Sequence, residues 1–143
     1  MTNLKGMPGL VKIDHIGIAV FDLDAAIGWH KEVLGAKLVS RETNHEQMIE
    51  EATLQVLESS FQLITPIGEL SPVTKFLNSK GQGMQQIAFR VTNLVAATNF
   101  ASELGVRVIF DTPRKGTGKS LINFLHPKDC FGVLIELVEI VGK

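Results

Sequence analysis

The chain has 143 residues, of which 45% are hydrophobic, 14 are Lys or Arg and 15 are Asp or Glu. This length suits one domain with a sizeable core, and the even charge balance argues against a nucleic-acid binder, which usually carries a basic excess. One cysteine excludes an internal disulfide and favours a reducing compartment, the cytoplasm or an organelle matrix. No apolar run approaches the roughly 20 residues that a membrane span needs.

The first half of the chain predicts a strand, a helix and three more strands. Residues 16–20 alternate as a strand does, Asp22 is a candidate helix N-cap, and Gly35 supplies a left-handed helix stop. The later β-like stretches lie near residues 36–42, 49–57 and 60–65. Ser71-Pro72 then opens a short linker helix, placed at about residues 71–82.

The second half predicts the same order of elements. Residues 87–91 form an alternating strand, Thr92 or Asn93 caps a helix, and Gly105 ends it. The later β-like stretches lie near residues 106–110, 121–125 and 133–140. The predicted order is therefore βαβββ twice.

An internal repeat supports this symmetry. The stretch IDHIGIAVFDLDAAIGWHKEVLG at residues 13–35 resembles MQQIAFRVTNLVAATNFASELG at residues 84–105, and FQLITP at 61–66 resembles IELVEI at 135–140. We therefore expect one α+β domain over residues 1–143, with a concavity between its two modules. The modules and their linker are placed at about residues 11–66, 71–82 and 84–140.

Four polar residues occupy equivalent positions in the two repeats. His15 and Gln86 lie on the first strand of each module, and Gln62 and Glu136 lie on the last strand. A single polar residue in an apolar strand is usually solvated, but two-fold symmetry would bring these four to one point. Buried polar groups need partners, and a metal ion would satisfy all of them.

Several segments resemble the methylmalonyl-CoA epimerases of the vicinal oxygen chelate superfamily. They include IDHIGIAV, GTGKSLINFLHPKD and GVLIELVE, and the resemblance runs from about Lys12 to Glu139. It implies the glyoxalase-like fold, in which two βαβββ modules form a curved sheet around a metal site. It also implies an epimerase that acts on methylmalonyl-CoA or a similar 2-substituted malonyl thioester by metal-assisted α-proton abstraction through an enolate.

The resemblance implies a divalent metal held by His15, Gln62, position 86 and Glu136. The family carries a histidine at position 86, where this chain has Gln86. An amide oxygen is a harder and weaker ligand than an imidazole nitrogen. The change therefore shifts the expected preference from Co²⁺ or Zn²⁺ toward Mn²⁺ or Mg²⁺, and it reduces the expected affinity.

The resemblance also implies a proton-transfer residue. The segment HEQMIEEATL is similar to a family stretch whose last glutamate is a catalytic base, and the matching residue is Glu51. On charge alone, Glu46, Glu50 and Glu51 are more typical of a solvated strand edge. The second base is either Glu136, acting as a loosely held ligand, or a bound water.

The other polar motifs have simpler interpretations. RKGTGKS at residues 114–120 is not a nucleotide-binding P-loop, because position 113 is Pro. Lys115 or Lys119 would either contact CoA phosphates or lie in a solvated hairpin. His30 is interpreted as helix packing, His45 as loop surface and His126 as turn structure. Cys130 is interpreted as an unreactive thiol.

Two other functions stay open beside the epimerase. Gln86 favours a ligand-binding or resistance protein of the same fold with an altered metal site, and a glyoxalase-type lyase would use the same ligands on a thiol hemiacetal. The expected partners are an acyl-CoA thioester as substrate and a second copy of the chain in a homodimer. Neither nucleic acid nor a membrane is expected.

Overall fold

Strands and helices follow the predicted order, βαβββ, a helix, and βαβββ again. The computed structural model describes residues 6–142. The strands are β1 (Leu10–Ala19), β2 (Lys37–Asn44), β3 (Ile49–Val56), β4 (Ser59–Pro66), β5 (Gly83–Val91), β6 (Arg114–Lys115), β7 (Ser120–Leu125) and β8 (Leu134–Ile140). The helices are α1 (Leu23–Leu34), α2 (Pro72–Lys80) and α3 (Leu94–Glu103), with a 3₁₀ turn at Pro127–Asp129. The order confirms the predicted α+β class. Among the residues described, no helix is long and apolar enough to cross a membrane.

These residues form two compact units whose boundaries fall inside β1 and β5. The first unit comprises His15–Gln86, and the second comprises the residues up to Asp14 and those from Ile87 onward. The prediction of one domain over residues 1–143 stays a prediction, and its residues 1–5 and 143 lie outside the described part of the chain.

The first unit contains strands in the order β2-β3-β4-β1, with β1 parallel to β4 and the other pairs antiparallel. As predicted, α1 begins at an Asp22 N-cap, whose carboxylate accepts a hydrogen bond of 3.0 Å from the Ala25 amide, and ends at Gly35 in the left-handed region. Leu23 and Ile27 of the helix pack in one core with residues of β3 and β4. That core covers one face of the sheet.

Helix α2 packs on the other face of the same strands. Its Val73 and Leu77 contact Ala19 of β1 and Ile64 of β4. These two strand residues are paired in register, and they follow Ile18 and Leu63, which belong to the α1 core. Because successive side chains of a strand point to opposite faces, α1 and α2 lie on opposite sides of β1 and β4.

The second unit contains strands in the order β5-β8-β7-β6. The side chain of Asn93 caps α3 by accepting from the Ala96 amide, and the Glu139 carboxylate accepts from the Leu94 amide at 2.7 Å. The apolar face of α3 packs on β7 and β8. An ion pair between Arg90 of β5 and Asp14 of β1, with a nitrogen–oxygen distance of 2.6 Å, ties the start of β1 to this unit.

The prediction of a strand at residues 106–110 is wrong. This stretch makes one isolated bridge, between Val108 and Leu125, and the short strand β6 lies further along the chain. The reason is a side chain: the buried Asn123 amide accepts from the Phe110 N–H at 3.0 Å and donates to the Phe110 carbonyl at 2.9 Å. The Asn123 side chain therefore forms the hydrogen bonds that the backbone of a neighbouring strand would form with Phe110, and the strand pairing does not extend to this residue.

Candidate active site

One face of β1 and β4 in the first unit carries two of the predicted metal ligands. His15 and Gly17 point to the same side of β1, since they are two residues apart. Gln62 of β4 is the register partner of Gly17, so it shares this face. Both polar residues are buried, His15 at 6% exposure and Gln62 at 5%. This is the face opposite α1.

Gln86, the third predicted ligand in this unit, packs over Gly17 of β1. An ideal Cβ on Gly17 would lie 2.7 Å from the Cγ atom and 3.1 Å from the Cδ atom of Gln86. The side chain of Gln86 therefore occupies the space above Gly17, beside its partner Gln62. His15, Gln62 and Gln86 thus lie on one face within one unit, and their role as metal ligands stays a prediction.

Glu51, the predicted base, belongs to the same face. It is the register partner of Ile64, and Thr53 is the register partner of Gln62. Glu51 is therefore the diagonal neighbour of Gln62, a relation that places Cα atoms about 7–8 Å apart. Its side chain is only 3% exposed. The alternative of a solvated edge is excluded for Glu51, because a solvated carboxylate would be exposed.

Glu50 shows the contrast. It points to the opposite side of β3, where its carboxylate accepts a 2.7 Å hydrogen bond from Arg41 near the surface. The two neighbouring glutamates therefore have different environments, one buried on the face that carries His15 and Gln62 and one in a surface ion pair. Strand alternation alone separates them.

Helix α2 forms an apolar wall at one end of this face. Ala19 and Ile64 are buried against Val73 and Leu77, with Ile49 and Phe76 packed beside them. The register partner of Glu51 is thus part of an apolar cluster. Burial beside aliphatic side chains strengthens the electrostatic interactions of polar groups on this face, because water is excluded from them.

Glu136, the fourth predicted ligand, lies on β8 in the second unit. It is the register partner of Phe124, and it is 6% exposed. Val138, two residues further on the same face, packs with Ala88 and Ile122. Glu136 is therefore a buried carboxylate on a largely apolar face, where a charged group needs a partner.

The donor chemistry of the predicted set determines which cation it suits. Among residues 6–142, no group of three or more His, Cys, Asp or Glu side chains is arranged to hold a metal. The predicted set instead contains two amides, one imidazole and one carboxylate. The Nε2 atom of His15 is buried without a hydrogen bond in the described part, although His15 interacts through other atoms. The preference of one nitrogen and three oxygen donors for Mn²⁺ or Mg²⁺ stays a prediction.

The glycine-rich segment at residues 114–120 forms a hairpin between β6 and β7. The Gly116 amide donates to the Ser120 carbonyl at 3.0 Å, and the Ser120 hydroxyl donates to the Thr117 carbonyl at 2.7 Å. The segment leads into a strand, whereas a P-loop leads into a helix whose amides bind phosphate. The exclusion of a nucleotide P-loop is therefore confirmed, and Lys115 and Lys119 are exposed on the hairpin.

The remaining candidates have structural roles. The His30 ring contacts the Trp29 and Phe61 rings, and the Nδ1 atom of His126 accepts from the Lys128 amide in the turn before β8. Burial raises the pKa of the Cys130 thiol, which disfavours the reactive thiolate. These observations agree with the predictions for all three residues.

Gly17 and the α2 wall were not predicted to be part of the site. Strand alternation places Gly17 between His15 and Ala19 on one face, which was a usable signal. The packing of Gln86 over Gly17 depends on how β5 folds back, which no local pattern reports.

Two similar solved structures are of methylmalonyl-CoA epimerases. The crystal structure of the enzyme from Mycobacterium tuberculosis matches with a TM-score of 0.91 and 45% identity, over 97% of this chain and 94% of that chain. A variant of the Streptomyces coelicolor enzyme in complex with 2-nitronate-propionyl-CoA matches with a TM-score of 0.90 and 41% identity, over 93% and 99% of the two chains. These matches confirm the resemblance seen in the sequence.

A curated relative agrees with the structures. The mitochondrial methylmalonyl-CoA epimerase of Mus musculus is 33% identical over 129 residues, which are 90% of this chain and 72% of that protein. The Glyoxalase/Bleomycin resistance protein/Dioxygenase superfamily matches residues 12–137. The chain therefore belongs to the Glyoxalase/Bleomycin resistance protein/Dioxygenase superfamily.

Proposed function

We propose that this chain is an isomerase that interconverts the epimers of methylmalonyl-CoA or a similar 2-substituted malonyl thioester. The observation that carries the proposal is the buried face of the first unit, where Glu51 lies on the same side of the sheet as His15, Gln62 and Gln86. Epimerisation beside a thioester needs a base and a group that stabilises the enolate. The epimerases described above match nearly the whole chain, which supports the proposal.

Glu51 is the base that removes the proton from the carbon between the two carbonyl groups. Its place in the middle of β3, with a register partner in an apolar cluster, limits both its motion and its hydration. The proton that it accepts stays on a buried carboxyl group, from which it can be returned to the same face of the carbon. Inversion then needs a second group on the opposite face.

We assign Glu136 as this second base, and also as the fourth metal ligand. The assignment rests on the sequence repeat, which relates Glu136 to Gln62, and on the burial of both residues. A carboxylate that leaves a ligand position during turnover can accept or donate a proton. When Glu51 removes the proton, Glu136 would carry a proton and donate it to the carbon; in the reverse direction, the Glu136 carboxylate would accept the proton and protonated Glu51 would donate one.

His15, Gln62, Gln86 and Glu136 would hold a divalent cation. Three of the four donor atoms are oxygens, so Mn²⁺ or Mg²⁺ is favoured over Co²⁺ or Zn²⁺. When bound, such a cation would stabilise negative charge on the thioester oxygen. The first unit's own part is to place the neutral donors His15, Gln62 and Gln86 on the buried face that carries the proposed base.

The substrate carrier is coenzyme A. Lys115 and Lys119, exposed on the hairpin between β6 and β7, supply positive charge for its phosphates. Charge reversal at both lysines should then raise KM for the CoA thioester more than it lowers kcat, because phosphate contacts are made equally in the ground and transition states.

We also propose a homodimer in the cytoplasm or an organelle matrix. Trp29 and Val33, one helical turn apart on α1, are 54% and 56% exposed, which is unusual for large apolar side chains at neighbouring positions. Light scattering would then report twice the 15.6 kDa mass of one chain.

Turnover of separated methylmalonyl-CoA epimers tests the proposed activity. Each epimer is incubated with the purified chain, with and without Mn²⁺, and the epimer ratio is followed by chiral chromatography. We expect both epimers to reach the same mixture, faster with the cation. Tight binding without interconversion would instead favour the binding-protein alternative, and turnover of a thiol hemiacetal would favour the lyase.

A further inference from the structure

Gly17 lies at the centre of the buried face, in space that leaves no room for a side chain. A Cβ there would lie 2.7 Å from Cγ and 3.1 Å from Cδ of Gln86, and 3.0 Å from Cδ1 of Ile64. Real Cβ atoms do not approach other atoms as closely as 2.7 Å. The backbone of Gly17 is not in the left-handed region, so any residue could adopt it. The demand for glycine at this position is therefore set by Gln86.

The two neighbours of Gly17 differ in how they can respond to a methyl group. The Cδ1 atom of Ile64 is the far end of a side chain and needs to move by only a few tenths of an ångström. The Cγ atom of Gln86 belongs to the stem that carries its amide, and the Cδ atom is the amide carbon, so any shift of these atoms moves the amide. An added methyl group therefore displaces the polar end of Gln86 from its place beside Gln62.

We propose that Gly17 is a positioning residue, which sets the depth of the Gln86 amide on the face that Glu51, His15 and Gln62 share. The expected effect on kcat rests on the proposed function, whereas the expected effect on packing and Tm does not. The absence of a side chain at residue 17 lets the stem of Gln86 lie flat on β1, within reach of the register partner of Gly17.

A cycle of four variants tests the proposal: the parental chain, Gly17→Ala, Gln86→Ala and the double variant. Gln86→Ala removes Cγ and Cδ, so it removes the obstacle to a methyl group at residue 17. Gly28→Ala is the matched control, because a Cβ on this helical glycine meets no atom within 4 Å. Four quantities are measured: Tm without metal, Mn²⁺ affinity by calorimetry, and kcat and KM for methylmalonyl-CoA.

In the parental background, Gly17→Ala should lower Tm by about 3–10 °C. It should weaken Mn²⁺ binding by about tenfold, and it should lower kcat by about 10²-fold with a smaller change in KM, because a proposed metal ligand is displaced by about 1 Å. In the Gln86→Ala background, Gly17→Ala should change Tm by less than about 2 °C and leave Mn²⁺ affinity unchanged. Gly28→Ala should keep the parental values of affinity and kcat.

Two outcomes would overturn the proposal. One is Gly17→Ala with parental Tm and Mn²⁺ affinity. The other is a loss of Tm that is equally large in the Gln86→Ala background, since the obstacle would then not be Gln86. If Gly17→Ala alone does not fold, the double variant must fold, and its failure also overturns the proposal. An inactive parental chain would refute the proposed function, while the Tm comparison would still decide the role of Gly17.

Discussion

Gln86 presents an amide at a position where the resemblance to the epimerases implies a histidine, and its stem lies against Gly17. The substitution keeps the group neutral but replaces a nitrogen donor by an oxygen donor. It also keeps a side chain that is long enough to pass over β1 and reach the vicinity of Gln62. We therefore propose that Gln86 keeps a donor at this position of the predicted site and changes which cation the site would prefer.

Gln86→His should raise affinity for Zn²⁺ and Co²⁺ by about tenfold, or about 1.4 kcal/mol, because imidazole binds both better than an amide oxygen does. Affinity for Mg²⁺ should not rise, since Mg²⁺ prefers oxygen. Calorimetric titration with each ion measures the change.

Gln85→His provides the matched control. Gln85 is adjacent on β5 and points to the opposite face, so a histidine there should leave Zn²⁺ affinity at the parental value. Equal gains in both variants would show that an added histidine on either face of β5 binds the ion, and that residue 86 is not a specific ligand. Unchanged or weaker Zn²⁺ binding by Gln86→His would remove residue 86 from the proposed ligands.

The site residues could be predicted to different extents. The internal repeat identified four polar positions, because two-fold sequence similarity reports equivalent places in three dimensions. Alternation along β3 separated Glu51 from Glu50 but could not say which of them is buried. That answer comes from the register of Gln62 with Thr53, a pairing between strands that no local pattern encodes. The roles of Glu51 and Glu136 stay proposals.

Among the elements, helices were predicted better than strands. Asp22, Ser71 and Asn93 act as helix N-caps, because a short polar side chain before an apolar run satisfies free amides wherever it occurs. The prediction of a strand at residues 106–110 was wrong because its outcome depends on a contact that is distant in sequence. Arg107 and Ile109 form backbone hydrogen bonds with His126 and Phe124, but at Phe110 the Asn123 side chain takes the place of a neighbouring strand.

The same segment is held at its start by Asp129. The Arg107 amide donates to the Asp129 carboxylate at 2.9 Å, and the guanidinium donates at 2.8 and 3.0 Å. These hydrogen bonds hold the pKa of Asp129 well below its ordinary value. A carboxylate with a lowered pKa in the folded state stabilises the fold above the unfolded pKa, and this stabilisation is lost as the pH falls toward the folded pKa.

Asp129→Asn should therefore lower Tm at pH 7, and the difference from the parental chain should shrink as the pH falls below about 4. Thermal melts at several pH values measure this difference. The exposed Asp111 offers a control, because Asp111→Asn removes a similar charge from the same loop region. A Tm difference for Asp129→Asn that stays constant from pH 7 to pH 3 would contradict the assigned ion pair.

At the scale of the molecule, the two units are built on one plan. In each of them the first strand of the βαβββ series lies next to the fourth, and the fourth lies next to the third. The sequence repeat predicted this equivalence, since similar segments fold into similar elements. The first unit carries four of the five proposed site residues, and the second carries Glu136. The proposed chemistry therefore has its base and most of its polar donors in the first unit.

The central claim is that Glu51 removes the α-proton of a malonyl thioester. Glu51→Gln keeps the size of the side chain and should keep the fold and Mn²⁺ affinity, because Glu51 is not among the proposed ligands. Glu50→Gln is the matched control, since Glu50 precedes it on β3 and pairs with Arg41 on the other face.

Deuterium exchange at the α-carbon, followed separately from each epimer of methylmalonyl-CoA in D₂O, tests this claim most directly. We expect the parental chain and Glu50→Gln to exchange the α-proton from both epimers. Glu51→Gln should lose exchange from one epimer by at least about 10²-fold and stop interconversion, while exchange from the other epimer persists through the second base. Parental exchange from both epimers in Glu51→Gln would contradict the account.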